Sequence, residues 1–535
     1  MLCKITERRL AEAEQPRRQE SLGALWTQLA AEITHHSDIE HQMITVMAPA
    51  TNRPLATVPM CTQADVELAL LRARRAQSQW AAQPVKLREE ILLRFHDMVL
   101  RRQSVLLDVL QLETGKARRD ALEEILDVAI NSRHYALRAK SYLRMRRRKG
   151  ALPLLTRTLE LRHPLGVVGF ISPWNYPLTL TLADAIPALL AGNAVIVKPD
   201  SHTPFSALLG MLWLREAGLP ADIFQVLTGD GATIGPPLIA GVDYVCFTGS
   251  TATGRIIARQ AGDRLIRCSL ELGGKNPMLI LNDADLNTAV EGAIRGCFAN
   301  AGQLCLSFER LYIQRDVYDQ FLSAFASRTR ALRLGAEMDF AVDMGSLISA
   351  EQLAKVEAHV QDALSKGARL LAGGRPRPDL GPFFYEPTIL GGVTPEMLLA
   401  REETFGPVVA VYPFTDLDAA VAMANDSVYG LNASIWSRNI GLARRLGARL
   451  QCGTVNINEA YAAAWGSVDA PMGGMKASGI GRRHGDEGFL KYTESQTIAA
   501  QRLISVGPWP FASASLYARL MTVALRLLRH LPGLR

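Results

Sequence analysis

The chain has 535 residues, of which 48% are hydrophobic and 21% are charged. This length predicts two or three domains rather than a single core, and this composition is ordinary for a globular protein. The net charge of +7 comes without a recognised nucleic-acid-binding motif and without aromatic residues interleaved among the basic ones, so nucleic-acid binding is not expected.

The seven cysteines are odd in number, scattered, and free of any Cys-x-x-Cys pair. This pattern argues against a disulfide framework or a zinc site and favours a reducing compartment, so we expect a cytoplasmic protein. The ten histidines show no His-x-x-x-His spacing, and no catalytic metal is predicted. We expect no signal peptide and no spanning helix, because no apolar run is long enough for either.

Apolar residues spaced three and four apart predict a helical first region. Residues 1–40 are expected to form a helical, surface-laid extension, and residues 63–150 are predicted to be helical, with helices at 64–80, 85–102 and 104–114. From residue 165 short apolar runs alternate with helical patterns. We predict strands at 167–171, 194–197, 223–227 and 242–247, with helices at 204–217 and after residue 249. Strands alternating with helices indicate right-handed crossovers and a parallel sheet.

A second block of the same texture begins near residue 271. Strands are predicted at 278–281, 311–313 and 408–412, with helices at 286–300, 317–332 and 417–425. Two further stretches, 154–164 and parts of 492–504, alternate apolar and polar residues as exposed strands do. The predicted fold class is therefore α/β with two parallel sheets.

The last 41 residues are strongly basic, with five arginines and no acid from residue 495 to the end. Between Leu516 and Leu531, apolar residues fall on one helical face and arginines to one side of it, although Leu525 and Leu528 widen the apolar surface. Such a helix can lie on an anionic bilayer surface. Packing against the protein's own body or a partner subunit is an equally open alternative.

Two motifs set reactive side chains among small residues. Cys305 ends the run NAGQLC (300–305), and Glu271 opens the run ELGGKNP (271–277). A lone cysteine is most often a buried small hydrophobe. A thiol paired with a carboxylate base, however, indicates chemistry through a covalent thioester. Asn175, in the run PWNYP (173–177), supplies an amide that can stabilise an oxyanion together with the backbone N–H of Cys305.

A strand, a turn and a helix follow one another in the run VCFTGSTATG (245–254). A helix N-terminus is an anion site, and Gly249 before Ser250 lets the backbone approach a pyrophosphate. Without the Gly-x-Gly-x-x-Gly fingerprint this is a weak dinucleotide signal by itself. Lys198 follows the strand at 194–197, at the sheet edge where ligands of open α/β sheets bind.

These motifs together resemble those of the aldehyde dehydrogenase superfamily across residues 45–500. Within it, the runs DMGSLIS (343–349) and LKYTESQT (490–497) look closest to the actinobacterial-type succinate-semialdehyde dehydrogenase (NADP) branch. The resemblance implies a Rossmann-like cofactor domain, a catalytic domain, a small bridging and oligomerisation β element, and a homodimer or homotetramer. The expected divisions are an N-terminal extension at 1–40, an NAD(P)-binding domain at 41–270 with 154–164 in the bridging sheet, a catalytic domain at 271–480, a bridging segment at 481–507, and a basic amphipathic tail at 508–535.

The resemblance also implies roles for individual residues. Cys305 would be the nucleophile, Glu271 the base that activates water, and Asn175 the oxyanion donor. Cofactor contacts are implied for Trp174, Asn175, Lys198, Ser201, Gly249, Ser250, Leu272, Glu403 and Phe405. NAD-selective relatives commonly carry a glutamate at the position of Ser201, where it would repel a 2′-phosphate. NADP is therefore the expected cofactor, with NAD possible.

The substrate is less clearly indicated. Succinate semialdehyde follows from the resemblance, but the stretch 178–183 lacks the arginine that better-known semialdehyde enzymes use to hold the substrate carboxylate. Arg310 or another arginine is a candidate replacement. The segment 461–465 is a candidate tunnel lining that would favour apolar aldehydes, and with the tail it suggests a membrane-surface enzyme for medium-chain, long-chain or aromatic aldehydes. A reductive acyl-CoA enzyme and a catalytically silent binding relative are further alternatives, which Glu271 and the complete set of motifs argue against.

Overall fold

The computed structural model describes residues 22–151, 156–502 and 505–530. Of the predicted N-terminal extension, residues 22–31 form a helix. The remaining predictions for residues 1–21, 154–155, 503–504 and 531–535 lie outside the described residues.

A six-stranded sheet carries the first α/β unit. Its strands, in spatial order, are Gly479–Ile480, Arg267–Glu271, Tyr244–Thr248, Val167–Ile171, Ala194–Lys198 and Phe224–Val226. All neighbours are parallel except the first pair, which is antiparallel. The four strands predicted in this region are confirmed. They were predictable because strands buried on both faces have near-continuous apolar runs. The strand ending at Glu271 was not predicted.

Helices cover this sheet and confirm the helical region. Their bounds are Gln63–Ala82, Val85–Arg101, Gln103–Thr114, Arg118–Leu143, Pro177–Leu190, Pro204–Glu216, Gly231–Gly241, Thr251–Asp263 and Gly485–Leu490. The predicted extension of helix to residue 150 is wrong, since Arg146–Arg148 is a strand that pairs with Thr156–Pro164. Pairing of Arg148 with Glu160 across these strands favours the extended conformation.

A seven-stranded sheet carries the second unit. Its order is Arg369–Ala372, Thr388–Gly391, Val408–Phe414, Phe308–Gln314, Asn276–Ile280, Asn432–Trp436 and Thr454–Ile457, parallel throughout except for the first pair. The helices of this unit are Leu286–Phe298, Tyr318–Arg330, Ala350–Ser365, Leu398–Arg401, Leu417–Asn425, Ile440–Gly447 and Ala462–Trp465. The α/β class with two sheets is therefore confirmed.

Smaller sheets complete the fold. Thr493–Gln501, Thr156–Pro164 and Arg146–Arg148 form an antiparallel sheet, which confirms both predicted exposed strands. Met43–Ala48 pairs with Arg53–Pro59 in a hairpin, and Tyr429–Gly430 pairs with Met475–Lys476. A final helix, Ala514–Leu528, follows the three-stranded sheet.

Residues 272–275 link the two large sheets, because one strand ends at Glu271 and the next begins at Asn276. Glu271 therefore stands at the carboxyl end of its strand. Thr248 ends the adjacent strand, and Lys198 ends the strand two places further along the same sheet, at the edge where open α/β sheets bind ligands.

Candidate active site

Cys305 lies in a tight turn between a helix and a strand. The helix ends at Phe298, and Asn300, Ala301 and Gly302 then take left-handed φ values of 50°, 53° and 70°. A Cβ atom on Gly302 would lie 2.1 Å from the carbonyl oxygen of Gly406, so only glycine fits there. The left-handed conformation is costly for Ala301, whereas asparagine and glycine adopt it more readily, and such strain tends to persist at functional sites.

The thiol of Cys305 is held in its protonated form. Burial, together with the negative charges of Glu403 and Glu271, raises its pKa to about 12. The thiolate is the reactive species of a cysteine. Cys305 therefore needs a nearby base, or added positive charge, before it can act as a nucleophile.

Glu271 is a buried carboxyl group with a free oxygen. It is 7% exposed, and its Oε1 has no hydrogen-bond partner among the described residues. A Cβ atom on Gly473 would stand 3.1 Å from that oxygen, so glycine leaves the room it needs. Burial raises the pKa of Glu271 to about 7, while the positive charge of Arg483 acts in the opposite direction. A carboxyl group that titrates near neutrality is suited to general base catalysis.

The amide of Asn175 is fixed by the turn that carries Cys305. Its Nδ2 donates to the backbone oxygen of Gln303 at 3.0 Å. Its own backbone oxygen accepts hydrogen bonds from Lys116 Nζ at 2.7 Å and Asn300 Nδ2 at 3.0 Å. One of the two hydrogens on Asn175 Nδ2 is used by Gln303, which leaves the second for a ligand.

One cleft brings most of the predicted site residues together. It encloses about 210 Å³, and its lining includes the following predicted residues: Trp174, Asn175, Gly249, Ser250, Glu271, Leu272, Cys305, Glu403 and Phe405. Lys198 and Ser201 are not among its lining residues. The rings of Trp174 and Phe405 meet edge to face with centroids 5.5 Å apart, which fixes one wall.

The strand, turn and helix predicted around Gly249 and Ser250 are present. Ser250 caps the helix Thr251–Asp263, and its Oγ accepts from the backbone N–H of Thr253 at 3.2 Å. The other N–H groups of the first turn have no partner within the helix, as at any helix N-terminus. Since Gly249 and Ser250 line the cleft, the start of this helix faces the same space as Cys305.

Comparison with known proteins agrees with this arrangement. The family model described as "Aldehyde dehydrogenase family" matches residues 35–498. A protein of Mycolicibacterium smegmatis with the provisional name succinate-semialdehyde dehydrogenase (NADP+) is 52% identical over 90% of this chain and 93% of its own length. A Mycobacterium tuberculosis protein with the same provisional name, numbered 2, is 50% identical over 91% of this chain and 94% of its own.

Solved structures give the same answer. An NADP-dependent enzyme of E. coli is 36% identical with a TM-score of 0.82, covering 86% of this chain and 95% of that one. A betaine aldehyde dehydrogenase of Staphylococcus aureus in complex with NAD+ is 31% identical with a TM-score of 0.83, covering 91% and 100%. The chain belongs to the aldehyde dehydrogenase family. The predicted family and fold are thereby confirmed.

The residues of this aldehyde dehydrogenase family member fit a dinucleotide. Lys198 is 6% exposed, and its Nζ forms no hydrogen bond with any described residue. Burial lowers its pKa, while Asp200 and Asp230 act in the opposite direction. The ammonium group stands at the sheet edge where open α/β sheets bind ligands, so a hydroxyl or phosphate oxygen can accept a hydrogen bond from it.

Ser201 differs in detail from its predicted role. Its Oγ donates to the backbone oxygen of Gly229 at 3.0 Å, so its hydrogen is not free for a 2′-phosphate in this conformation. The neighbouring His202, which the motif analysis overlooked, holds Asp200 at 2.7 Å, and this hydrogen bond raises the pKa of His202. Position 201 nevertheless carries no carboxylate that would repel a 2′-phosphate.

Glu403 lines the same cleft as Cys305 and Glu271. Its Oε1 accepts from the backbone N–H of Gly274 at 2.7 Å, and burial raises its pKa to about 7. A Cβ atom on Gly273 would lie 2.6 Å from Glu403 Oε2, so the paired glycines allow this close approach. Both glycines of the ELGGKNP run therefore contact the Glu403 carboxylate, and a side chain at Gly273 would displace it.

A buried carboxylate that the motif analysis missed organises the same wall. Glu309 pairs with Lys275 and accepts from the backbone N–H groups of Thr404 and Phe405 at 3.0 Å. It thereby holds the segment that carries Glu403. Lys275 in the ELGGKNP run could have indicated that an acidic partner exists, because a buried lysine requires one. Gln352 and Lys355 also line the cleft and come from a helix that was not predicted.

Arg310 does not serve as a substrate clamp, which corrects one candidate. It is buried, and its guanidinium donates to the backbone oxygens of Lys275, Met423 and Ala424. A second cavity of about 250 Å³ instead adjoins the Cys305 turn, with Phe298 and Ala299 in its wall. Its charged lining residues are Arg119, Asp120, Glu123, Glu291, Arg295, Arg328 and Asp343.

Tyr461, at the start of the predicted tunnel segment, is anchored by a polar contact. Its hydroxyl donates to the carboxylate of Glu123, with oxygen separations of 3.0 and 3.1 Å, and Glu123 pairs with Arg295 at 2.9 Å. Over the ranges that the structure covers, no cluster of three or more histidine, cysteine or acidic side chains is arranged to hold a metal ion. Within those ranges, every helix is too short or too polar to cross a membrane.

Proposed function

We propose that this protein oxidises succinate semialdehyde to succinate with NADP, through a thioester on Cys305. The observation that carries the proposal is the shared cleft, in which Cys305, Glu271 and Asn175 adjoin the capped helix start at Ser250. The provisional names of the mycobacterial relatives support the substrate and the cofactor. NAD remains a possible second cofactor, since a structural relative binds it.

The geometry supports a two-stage reaction. The Cys305 thiol gives its proton to solvent water, and its sulfur bonds to the aldehyde carbon while the carbonyl electron pair moves onto oxygen. The free hydrogen of Asn175 Nδ2 and the backbone N–H of Cys305 donate to that oxygen. Bound NADP supplies the acceptor for the hydride that leaves the same carbon. Glu271 then takes a proton from water, whose oxygen attacks the thioester and releases the acid and the thiol.

The cofactor assignment depends on the edge of the first sheet. Lys198 and the helix start after Ser250 would hold the ribose and the pyrophosphate, and Glu403 would hold the nicotinamide ribose. Trp174, Leu272 and Phe405 would shape the cleft around the nicotinamide end. Because position 201 carries no carboxylate, a 2′-phosphate meets no repulsion there, which favours NADP.

The substrate assignment depends on the second cavity. Its lining combines three arginines with four acidic side chains and the apolar Ile294, Phe298 and Leu332, so recognition of a substrate carboxylate there depends on one of the arginines. Arg295 is the candidate for the substrate carboxylate, because its side chain is 43% exposed and lies 5.1 Å from the ring centre of Tyr461. Arginine binds carboxylates in two parallel hydrogen bonds.

The assembly and location belong to the same proposal. The strand Thr493–Gln501 is exposed along nearly its whole length at the edge of the three-stranded sheet. An exposed edge strand is a ready surface for pairing with another chain. We place the homodimer or homotetramer contact there, and the divisions at 1–40, 41–270, 271–480, 481–507 and 508–535 keep their predicted roles in a cytoplasmic enzyme.

The alternative of a membrane-surface enzyme combines two ideas, an apolar aldehyde as substrate and a C-terminal helix that lies on a membrane. The provisional names of the mycobacterial relatives favour the four-carbon semialdehyde over an apolar substrate. Contact of the helix Ala514–Leu528 with a membrane is a separate question from the choice of substrate, because this helix lies far along the chain from the cleft residues. Glu271 argues against a reductive acyl-CoA enzyme, since such enzymes dispense with the base that activates water.

A substrate and cofactor panel tests the proposal. The purified protein should reduce NADP with succinate semialdehyde, and should do so with higher kcat/KM than with butanal, hexanal or benzaldehyde. Cys305→Ala should abolish turnover while cofactor binding persists, and Cys297→Ala is the matched control at a buried cysteine outside the cleft. Undiminished turnover in Cys305→Ala would end the mechanism, and a rate that rises with apolar chain length would end the substrate assignment.

A further inference from the structure

The helix Ala514–Leu528 has no covering. None of its residues is buried, and Leu516, Leu520, Val523, Leu525 and Leu527 are each between 45% and 60% exposed. An exposed apolar surface of this kind marks a site of contact with another body. The helix lies beyond residues 35–498, the part that matches the family model, so the family fold does not account for it.

The helix separates apolar and basic residues. At about 100° per residue, Leu516, Leu520, Val523 and Leu527 share one face. Arg519, Arg526 and Arg529 lie together along the remaining side with Thr522. All three arginines are exposed, and none forms an ion pair with a described residue. The basic side is therefore free to meet an anionic partner.

Aromatic residues stand at the start of the same helix. Trp509 stacks with Phe511 at a centroid separation of 5.8 Å and meets Tyr517 edge to face at 5.7 Å. Phe511 is 82% exposed. Tryptophan and tyrosine are enriched at the boundary between lipid headgroups and acyl chains, because they join an apolar ring to a polar group.

We propose that this helix lies flat on the surface of an anionic lipid bilayer, with its leucine face inserted and its arginines against the headgroups. A 15-residue helix is too short to span the hydrocarbon core, but suits an in-plane position. This inference goes beyond the proposed oxidation and does not depend on it.

Charge decides between a lipid surface and a second copy of the chain. Residues 495–535 contain five arginines and no acid. Two copies of this tail would therefore bring like charges together without a complementary carboxylate. Anionic lipid supplies the missing negative charge over the whole length of the helix, and attracts each arginine near its surface.

Sedimentation with lipid vesicles tests the inference on the full-length protein. It should sediment with vesicles that contain phosphatidylglycerol, much less with pure phosphatidylcholine, and progressively less as salt increases. The triple variant Arg519→Gln, Arg526→Gln, Arg529→Gln should lower the partition coefficient roughly a hundredfold. The double variant Leu520→Glu, Leu527→Glu should abolish binding.

A matched control separates this helix from surface leucines in general. Leu71 is 62% exposed on the helix Gln63–Ala82, and Leu71→Glu should bind vesicles as the unmodified protein does. Circular dichroism checks that each variant is folded. Equal binding to neutral and anionic vesicles, no binding at low salt, or undiminished binding by the tail variants would each overturn the inference. A drop in assembly mass in the tail variants, measured by light scattering, would assign the helix to a second copy instead.

Discussion

Replacing Gly302 with alanine perturbs the turn that positions Cys305. The new Cβ would lie 2.1 Å from the oxygen and 2.4 Å from the carbon of Gly406. Both are backbone atoms and cannot rotate away. The left-handed φ of 70° costs alanine about 1–2 kcal/mol, and forcing an atom into packed surroundings adds about 1–3 kcal/mol. We therefore expect Gly302→Ala to lower the free energy of unfolding by roughly 2–5 kcal/mol.

Gly392→Ala is the matched control, because Gly392 has φ +71° and nothing within 4 Å of its added Cβ. It should cost only the backbone strain, about 1–2 kcal/mol, and leave kcat/KM unchanged. Gly302→Ala should lower kcat/KM about a hundredfold, since small displacements of a reacting group have effects of that size. Denaturant unfolding and steady-state kinetics measure both quantities. Equal losses of stability and activity in the two variants would refute the argument that Gly406 fixes the turn.

Three further predictions concern the cleft and the second cavity. Because Glu271 titrates at about 7, turnover limited by thioester hydrolysis should fall about tenfold per pH unit below that value. Glu271→Gln should remove this pH dependence and lower steady turnover by about 10²–10⁴. It should still give a burst of NADPH, since loss of the Glu271 charge does not disfavour the Cys305 thiolate. Stopped-flow absorbance that shows no burst would contradict the assignment. Ser201→Glu should lower the preference for NADP over NAD about fivefold or more, with Ser201→Ala as control, and equal KM ratios in both variants would contradict it. Arg295→Gln should raise KM for succinate semialdehyde about tenfold while KM for butanal stays constant, and a parallel rise in both would remove Arg295 from substrate recognition.

Sequence pattern predicted the strands whose burial is visible as apolar runs. Val167–Ile171 and Ala194–Lys198 are such strands. Asn432–Trp436 was missed because its buried residues include Asn432 and Ser434. Their partners, the backbone oxygens of Leu306 and Glu459, come from other segments, so only the folded chain shows that these polar groups are satisfied.

The same limit applies to the candidate site. Cys305, Glu271 and Asn175 were identified because their residue types and motifs indicate a reaction. Glu309 and Arg483 were missed, since each acts through a partner that is distant in sequence: Glu309 holds Thr404 and Phe405, and Arg483 pairs with Asp184 beside Glu271. The helix Ala350–Ser365 was within reach, because Val356, Val360 and Ala363 show helical spacing on one buried face.

The most direct test of a thioester on Cys305 is mass spectrometry of the Glu271→Gln variant. After mixing with succinate semialdehyde and NADP and quenching in acid, its mass should increase by one succinyl group. Peptide mapping should locate that group on Cys305, and the same treatment of Cys305→Ala should add nothing. A succinyl group on another residue, or turnover by Glu271→Gln with no added mass, would contradict the account.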